Sequence, residues 1–185
     1  MDQQFLNSLK NSTPVIQDLQ TYMDADDEIL TIAKYIVKHN QHNEYVLPER
    51  INFLYSPKPK KDGGRYSLFD LIKRSEIEKM VNDEYDFILT IFYDVWAKLD
   101  PEQKIIQLDK ALCGIDMGDG ESEKIKKKSP DSKEYVSNML FYGAEKVMRI
   151  SEIVDLSCES ALDERKEKEK ALKKTNKKIV EQLEN

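Results

Sequence analysis

Histidine is among the scarcest reactive residues here. The chain has 2, His39 and His42, against 35 Asp+Glu and 29 Lys+Arg. With so few imidazoles it has little capacity for acid–base catalysis near neutral pH. Cysteine is as rare: Cys113 and Cys158 cannot make a disulfide framework or a four-thiolate zinc site, and a reducing compartment fits. Cys113 is expected to act as a small apolar side chain. No window approaches 18 uninterrupted apolar residues, so no membrane span is expected. The N-terminus lacks a basic segment followed by an apolar run, so no secretory signal is expected. Neither a Gly-rich phosphate loop nor a nucleophile elbow is present. A net charge of −6 and a pI near 5.1 argue against general affinity for nucleic acid, which needs clustered Lys and Arg.

What is present is one domain's worth of chain, 185 residues, with 39% hydrophobic and 35% charged residues. The excess charge sits mainly in the last third. Tyr85 to Gly114 organises the rest. Phe87 to Phe92 is a β-branched and aromatic run, the pattern of a strand buried on both faces. Asp100-Pro101-Glu102 then opens a helix, with Asp as cap, Pro preformed for the first turn and Glu at the positive end. Ile105, Leu108, Leu112 and Ile115 recur at three- and four-residue steps, giving that helix a core face through about Cys113, and Gly114 is a plausible stop.

Upstream, Met1 to Thr13, polar with a short Phe5-Leu6 anchor, is expected to be loosely ordered or ordered by a partner, and Pro14 could open a helix to about Met23. Glu28 to Lys38, led by an acidic capping cluster, is an amphipathic helix. Ile51 to Tyr55 alternates as a strand, Ser56 to Arg65 is a basic turn, and Tyr66 to Phe69 could be a second strand. Ser75 to Val81 reads as a capped helix. Downstream, Asp131 to Gly143 reads as an amphipathic helix. Ala144 to Asn185 is one long helix, with an early apolar stripe (Val147, Ile150, Ile153, Val154, Ala161) and then an almost wholly charged stretch. The expected division is an N-terminal helical segment (1–50), a core (51–143) and a charged C-terminal helix (144–185).

Laid in order, the strand, DVWAKLDPEQKIIQLDKALCG and the acidic loop after it resemble the putative phage metallopeptidase family, a relative of the SprT-like zincins. In that family the helix carries a His-Glu-x-x-His zinc motif. Here the first His falls on Lys110, the Glu on Ala111 and the second His on Gly114. A strand with a basic hairpin also matches, around Ile51 to Arg65. The His-Asp pair that supplies the third ligand falls on Pro130 and Asp131, with Glu134-Tyr135 on a following Glu-Phe pair. The resemblance spans roughly Ile51 to Gly143 and implies an α+β, SprT-like zincin-type domain: a small sheet of about three strands, a core helix, N-terminal helices and a long C-terminal helix.

A zincin needs two imidazoles one turn apart, a third ligand and a Glu to activate water. None of those roles is filled at Lys110, Ala111, Gly114 or Pro130. The expected function is therefore a catalytically inactive, non-enzymatic binding or structural module with no cofactor and no metal. It would act on a phage or host protein, in the infected cytoplasm or in the virion. One alternative is a metal-dependent hydrolase with relocated ligands. These would come from Asp109, Asp116, Asp119 and Glu121 near the helix end, or from His39, His42 and Glu44. Another is a DNA-associated protein using Lys58, Lys60 and Lys61 with Lys126, Lys127 and Lys128. The weakly heptad-like Leu172, Ile179 and Leu183 are candidates for partner binding or self-association.

Overall fold

The computed structural model describes residues 2–9, 16, 19–62, 65–81, 85–118, 125–130 and 134–183. The chain opens with a short helix, α1 (Gln3–Ser8), capped by Asp2, whose side chain accepts the Gln4 N–H. It is not the loose segment expected, because Phe5 stacks on Tyr35 with ring centroids 3.8 Å apart. The helix expected over 14–23 is absent among the described residues of that stretch, which ends instead in the two-residue strand β1 (Met23–Asp24). Pro14 itself lies outside them.

Helix α2 (Asp27–His39) follows as expected, with the Asp26 side chain accepting from Glu28 N–H and Ile29, Ile32, Ala33 and Ile36 buried. Two 3₁₀ turns, Gln41–Asn43 and Pro48–Arg50, lead into β2 (Ile51–Ser56). The basic turn is a hairpin of β3 (Lys60–Asp62) and β4 (Arg65–Ser67). The chain then re-enters the sheet as β5 (Phe69–Lys73) and leaves through α3 (Glu76–Val81). Strand β6 (Phe87–Phe92), the four-residue α4 (Tyr93–Trp96) and α5 (Pro101–Cys113) are the stretch around which the rest packs. A two-residue ladder joins β7 (Ile115–Asp116) to β8 (Lys126–Lys127). Helix α6 (Val136–Tyr142) begins later than the expected Asp131, and α7 (Ala144–Leu183) is the long C-terminal helix.

The architecture is α+β. The main sheet has four strands rather than about three, in the order β1-β2-β6-β5. Strand β2 runs parallel to β6, and β5 antiparallel to it on the other side. Strand β6 is central and almost wholly buried, as its unbroken apolar run requires. The α5 start is fixed by a capping box in which Asp100 and Gln103 satisfy each other's backbone N–H groups. Its apolar stripe packs beside α2.

Between those helices lies a buried ion pair: Lys104 Nζ is 3.0 Å from both oxygens of Glu28 and 5.3 Å from the Trp96 ring centroid. Helix α7 docks through Val147, Ile150, Val154, Cys158 and Ala161, whereas Ile153 of the expected stripe faces outward. The docking ends at Arg165, whose guanidinium forks onto Asp94 (Nη2–Oδ1 2.8 Å, with Nε on Oδ2) and donates to the Leu19 carbonyl at 2.8 Å. Asp86 at the foot of β6 is held by Arg50 (2.8 Å) and Lys79 (2.7 Å).

Two consequences are measurable. Lys104→Met strands the Glu28 carboxylate among apolar groups and should cost about 3–5 kcal/mol in urea unfolding, most of it regained when Glu28→Leu is added. Burial alone would raise the Asp86 carboxyl, but hydrogen bonds and charge from Arg50 and Lys79 bring it below its ordinary value. A depressed carboxylate stabilises the fold above its unfolded pKa of about 3.9 and loses that contribution as pH falls through the folded value. The stability gap between the wild type and Asp86→Asn should therefore be level above about pH 5 and close as pH falls below about 4.

Candidate metal centre

Helix α5 carries two different polar surfaces. Asp109 and Cys113, four residues apart, share one face. Lys110, Ala111 and Gly114, with Gln107, share another, roughly 130° around the axis at 3.6 residues per turn.

The second face looks into a cleft of about 180 Å³ between α5 and the β5 segment. Lys110 lies there as an ion-paired side chain, 2.8 Å from Glu134 Oε1 and 3.1 Å from Ser151 Oγ. Gly114 ends the helix with ordinary right-handed backbone (φ −73), so it is glycine for space rather than for conformation. A Cβ there would meet the Tyr135 hydroxyl at 2.9 Å and the Ala111 carbonyl at 3.2 Å. Pro130 is exposed. No metal ligand is found among Lys110, Ala111, Gly114 and Pro130.

The first face is different. Asp109 is fully buried. Its Oδ2 accepts from Asn40 Nδ2 at 2.8 Å and Asn138 Nδ2 at 3.2 Å. Its Oδ1 accepts from Asn43 Nδ2 and lies 3.1 Å from His42 Nε2. Asn40, His42 and Asn43 come from the end of α2 and the 3₁₀ turn after it, and Asn138 comes from α6. The Asn40 amide also reaches the Tyr142 hydroxyl at 2.8 Å. Burial, then the nearby Asp109, raise that phenol above its ordinary value.

A His42 ring nitrogen, an Asp109 oxygen and Cys113 Sγ all lie within 4.8 Å of one another. Burial, and secondarily Asp109, push the Cys113 thiol up to about 12, with Ser137, Asn43 and Lys128 pulling the other way. The Cys113 sulfur is 3.6 Å from Ser137 Oγ. The His42 ring meets the edge of Phe141 at 5.8 Å, and His42 is the one ligand candidate with appreciable exposure.

Charge balance sets Asp109 apart. Glu28 has Lys104, Asp86 has Arg50 and Lys79, Glu134 has Lys110, and half-buried Asp94 has Arg165. Among the described residues, the one ion-pairing group recorded for Asp109 is His42. A buried carboxylate without a Lys or Arg is costly, and a divalent cation is one way to balance it. The buried carbonyl oxygens of Asn43 and Asn138 also have no hydrogen-bond partner among the described residues. Nitrogen, oxygen and sulfur donors together suit a zinc-type ion, with three protein ligands leaving a fourth position. These residues fit such an ion; the Lys110 face does not.

Of the other sequence candidates, His39 turns away, with Nδ1 2.8 Å from the Tyr35 carbonyl, and Glu44 is exposed. Asp116 lies 3.5 Å from Lys126 and 3.7 Å from Lys128 and accepts the Gly118 N–H at 3.1 Å. Asp119 and Glu121 lie outside the described residues. Lys60 pairs with Asp70 at 3.1 Å, Lys61 sits 5.6 Å over the Tyr66 ring and Lys127 donates to the Leu71 carbonyl at 2.8 Å, while Lys58 is exposed. Lys60 and Lys127 both line the cleft with Lys110. Leu172 is exposed, and Ile179 and Leu183 lie in the last turns of α7. Asp109 and His42 were both candidate ligands, but in two separate clusters; that they meet, with Asn40, Asn43, Asn138 and Cys113 around them, was not expected. The readable signal was an acid one turn on from Ile105, at the edge of the apolar stripe, where burial forces it to find a partner.

An α+β domain with converging imidazole, carboxylate and thiol defines a candidate metalloprotein. The chain belongs to the putative phage metallopeptidase family, whose model matches residues 20–155. No curated protein and no solved structure matches it. These findings overturn the expectation of a non-enzymatic protein. That expectation rested on the loss of donors at the motif positions, whereas the family is described as putative phage metallopeptidases and two donors on a neighbouring face of the same helix converge with His42.

The two thiols allow a direct check of the site's burial. Cys113 and Cys158 are both buried, and burial pushes each up to about 12. At pH 8 roughly one thiol in 10⁴ is then ionised, because each pH unit is a factor of ten. Ellman's reagent should titrate neither cysteine in the native protein and both after unfolding in guanidinium.

Proposed function

We propose that this chain is a metal-dependent hydrolase of peptide bonds whose cation is held by His42, Asp109 and Cys113. The observation that carries the reading is the convergence of these three donors around a buried carboxylate that has no Lys or Arg partner among the described residues. Peptide bonds as the substrate class are supported by the family.

A zinc-type ion, when bound, supplies Lewis acidity and lowers the pKa of water at its open position. The chain's own residues do the rest. Asn40 and Asn138 fix Asp109 through Oδ2 and leave Oδ1 on the side of His42. Such outer contacts set ligand orientation and are worth factors of about 10–100 in metal affinity. Phe141 supports the imidazole ring from the side. Cys113 must give up its proton to bind, which an adjacent divalent charge drives. Water and substrate approach from the His42 side, where the cluster meets solvent.

The test uses the full chain loaded with zinc, desalted and submitted to elemental analysis, with cleavage of unfolded casein followed in parallel. About one zinc per chain is expected. His42→Ala and Cys113→Ser should each lower affinity by a factor of about 10–100 or more, and casein cleavage should stop with a chelator and return with zinc. Zinc that does not survive desalting, or that both substitutions leave in place, would sink the reading.

A further inference from the structure

The site has a neighbour that the three-ligand description leaves out. Asn43 directly follows His42 on the 3₁₀ turn and is almost fully buried. Its side chain lies beside two of the three ligands: Nδ2 donates to Asp109 Oδ1, and the amide is near enough to the Cys113 thiol to pull it down against the effect of burial. Its Oδ1 is buried without a partner.

A primary amide is nearly symmetric in shape, so a half-turn about its last torsion exchanges oxygen and nitrogen with almost no change in volume. With no cation bound, only one orientation is tolerable. The NH₂ faces the carboxylate oxygen, since a carbonyl there would repel it. A divalent ion among His42 Nε2, Asp109 Oδ1 and Cys113 Sγ reverses the preference: it repels the N–H dipoles and attracts the carbonyl.

The other two asparagines cannot respond in this way. Asn138 Nδ2 is anchored on both Asp109 Oδ2 and the Ile106 carbonyl. Asn40 Nδ2 is anchored on both Asp109 Oδ2 and the Tyr142 hydroxyl. Turning either amide would break two hydrogen bonds on the far side of the carboxylate.

We propose that Asn43 is a fourth protein ligand, turning its amide over on metal binding to present Oδ1. The inference rests on the metal site proposed above and concerns what closes it. A neutral amide oxygen is a weaker donor than thiolate, imidazole or carboxylate. Asn43 is therefore the ligand that an incoming group displaces, and it keeps the fourth position shut in the resting protein.

Cobalt(II) is the probe, because its visible bands report coordination number and its thiolate charge-transfer band reports Cys113. Affinity is read by competition with a chromophoric chelator, and the metal-free fold by circular dichroism. Asn43→Ala should weaken cobalt binding about 10- to 100-fold and shift the visible bands while keeping the thiolate band. Asn43→Asp, which keeps the size and sets a second carboxylate against Asp109, should be less stable without metal, bind cobalt more tightly than wild type and gain more in melting temperature on loading. This variant keeps the test open if Asn43→Ala does not fold.

Wild-type cobalt binding that depends on His42, with bands and affinity unmoved in Asn43→Ala, would overturn the role of Asn43 and leave the metal site standing. So would an Asn43→Asp protein that binds cobalt no better than Asn43→Ala. No cobalt binding by the wild type, or binding indifferent to His42→Ala, would bring down the metal site and the fourth ligand together.

Discussion

An ionised carboxylate sealed from water must replace its lost hydration with hydrogen bonds or counter-charge, and Asp109 draws on three separate parts of the chain to do so. The end of α2 supplies Asn40, the turn after it supplies His42 and Asn43, and α6 supplies Asn138. Each donor arrives only if its element lies in place against α5. One carboxylate therefore fixes how three helical segments meet. Its satisfaction is mostly by dipoles rather than by charge, and this leaves the site receptive to a cation.

The contrast with the other acids follows from the same physics. Glu28, Asp86 and Glu134 are also buried, and each has a Lys or Arg within ion-pair distance. Those pairs are closed electrostatically and tie elements together: α2 to α5, the second 3₁₀ turn and α3 to the foot of β6, and the α6 approach to α5. Buried pairs of this kind add little net stability but make misplacement costly, since a parted pair leaves two uncompensated charges.

Helix α5 shows how a motif can lose its donors while the helix keeps its chemistry. Its apolar stripe is committed to the core, and its cleft face is closed by the Lys110–Glu134 pair and the tight approach of Tyr135 to Gly114. The remaining face holds Asp109 and Cys113 with the same four-residue separation that brings two side chains together on any helix. A donor pair one residue out of the family frame lands on a different face and meets different neighbours. In this fold those neighbours are the α2 turn and α6.

Residues close in sequence carried most of the local structure. The Asp100-Pro101 start of α5, the buried run of β6, the amphipathic α2 and the long α7 were all legible, because capping, periodicity and β-branched runs act over a few residues. The resemblance to the metallopeptidase family was legible on the same stretch. The folded state alone decided that Met23–Asp24 would join the sheet, that Phe5 would order the N-terminus against Tyr35, and that Arg165 in a charged tail would clamp Asp94. It also decided the site. Asp109 was one of several acids near a helix end, its partners lie 29 to 69 positions away, and Cys113 looked like a filler of core space. A side chain's type and helical face are local properties; which donors meet it across space depends on the packing of helices that no short stretch of sequence encodes.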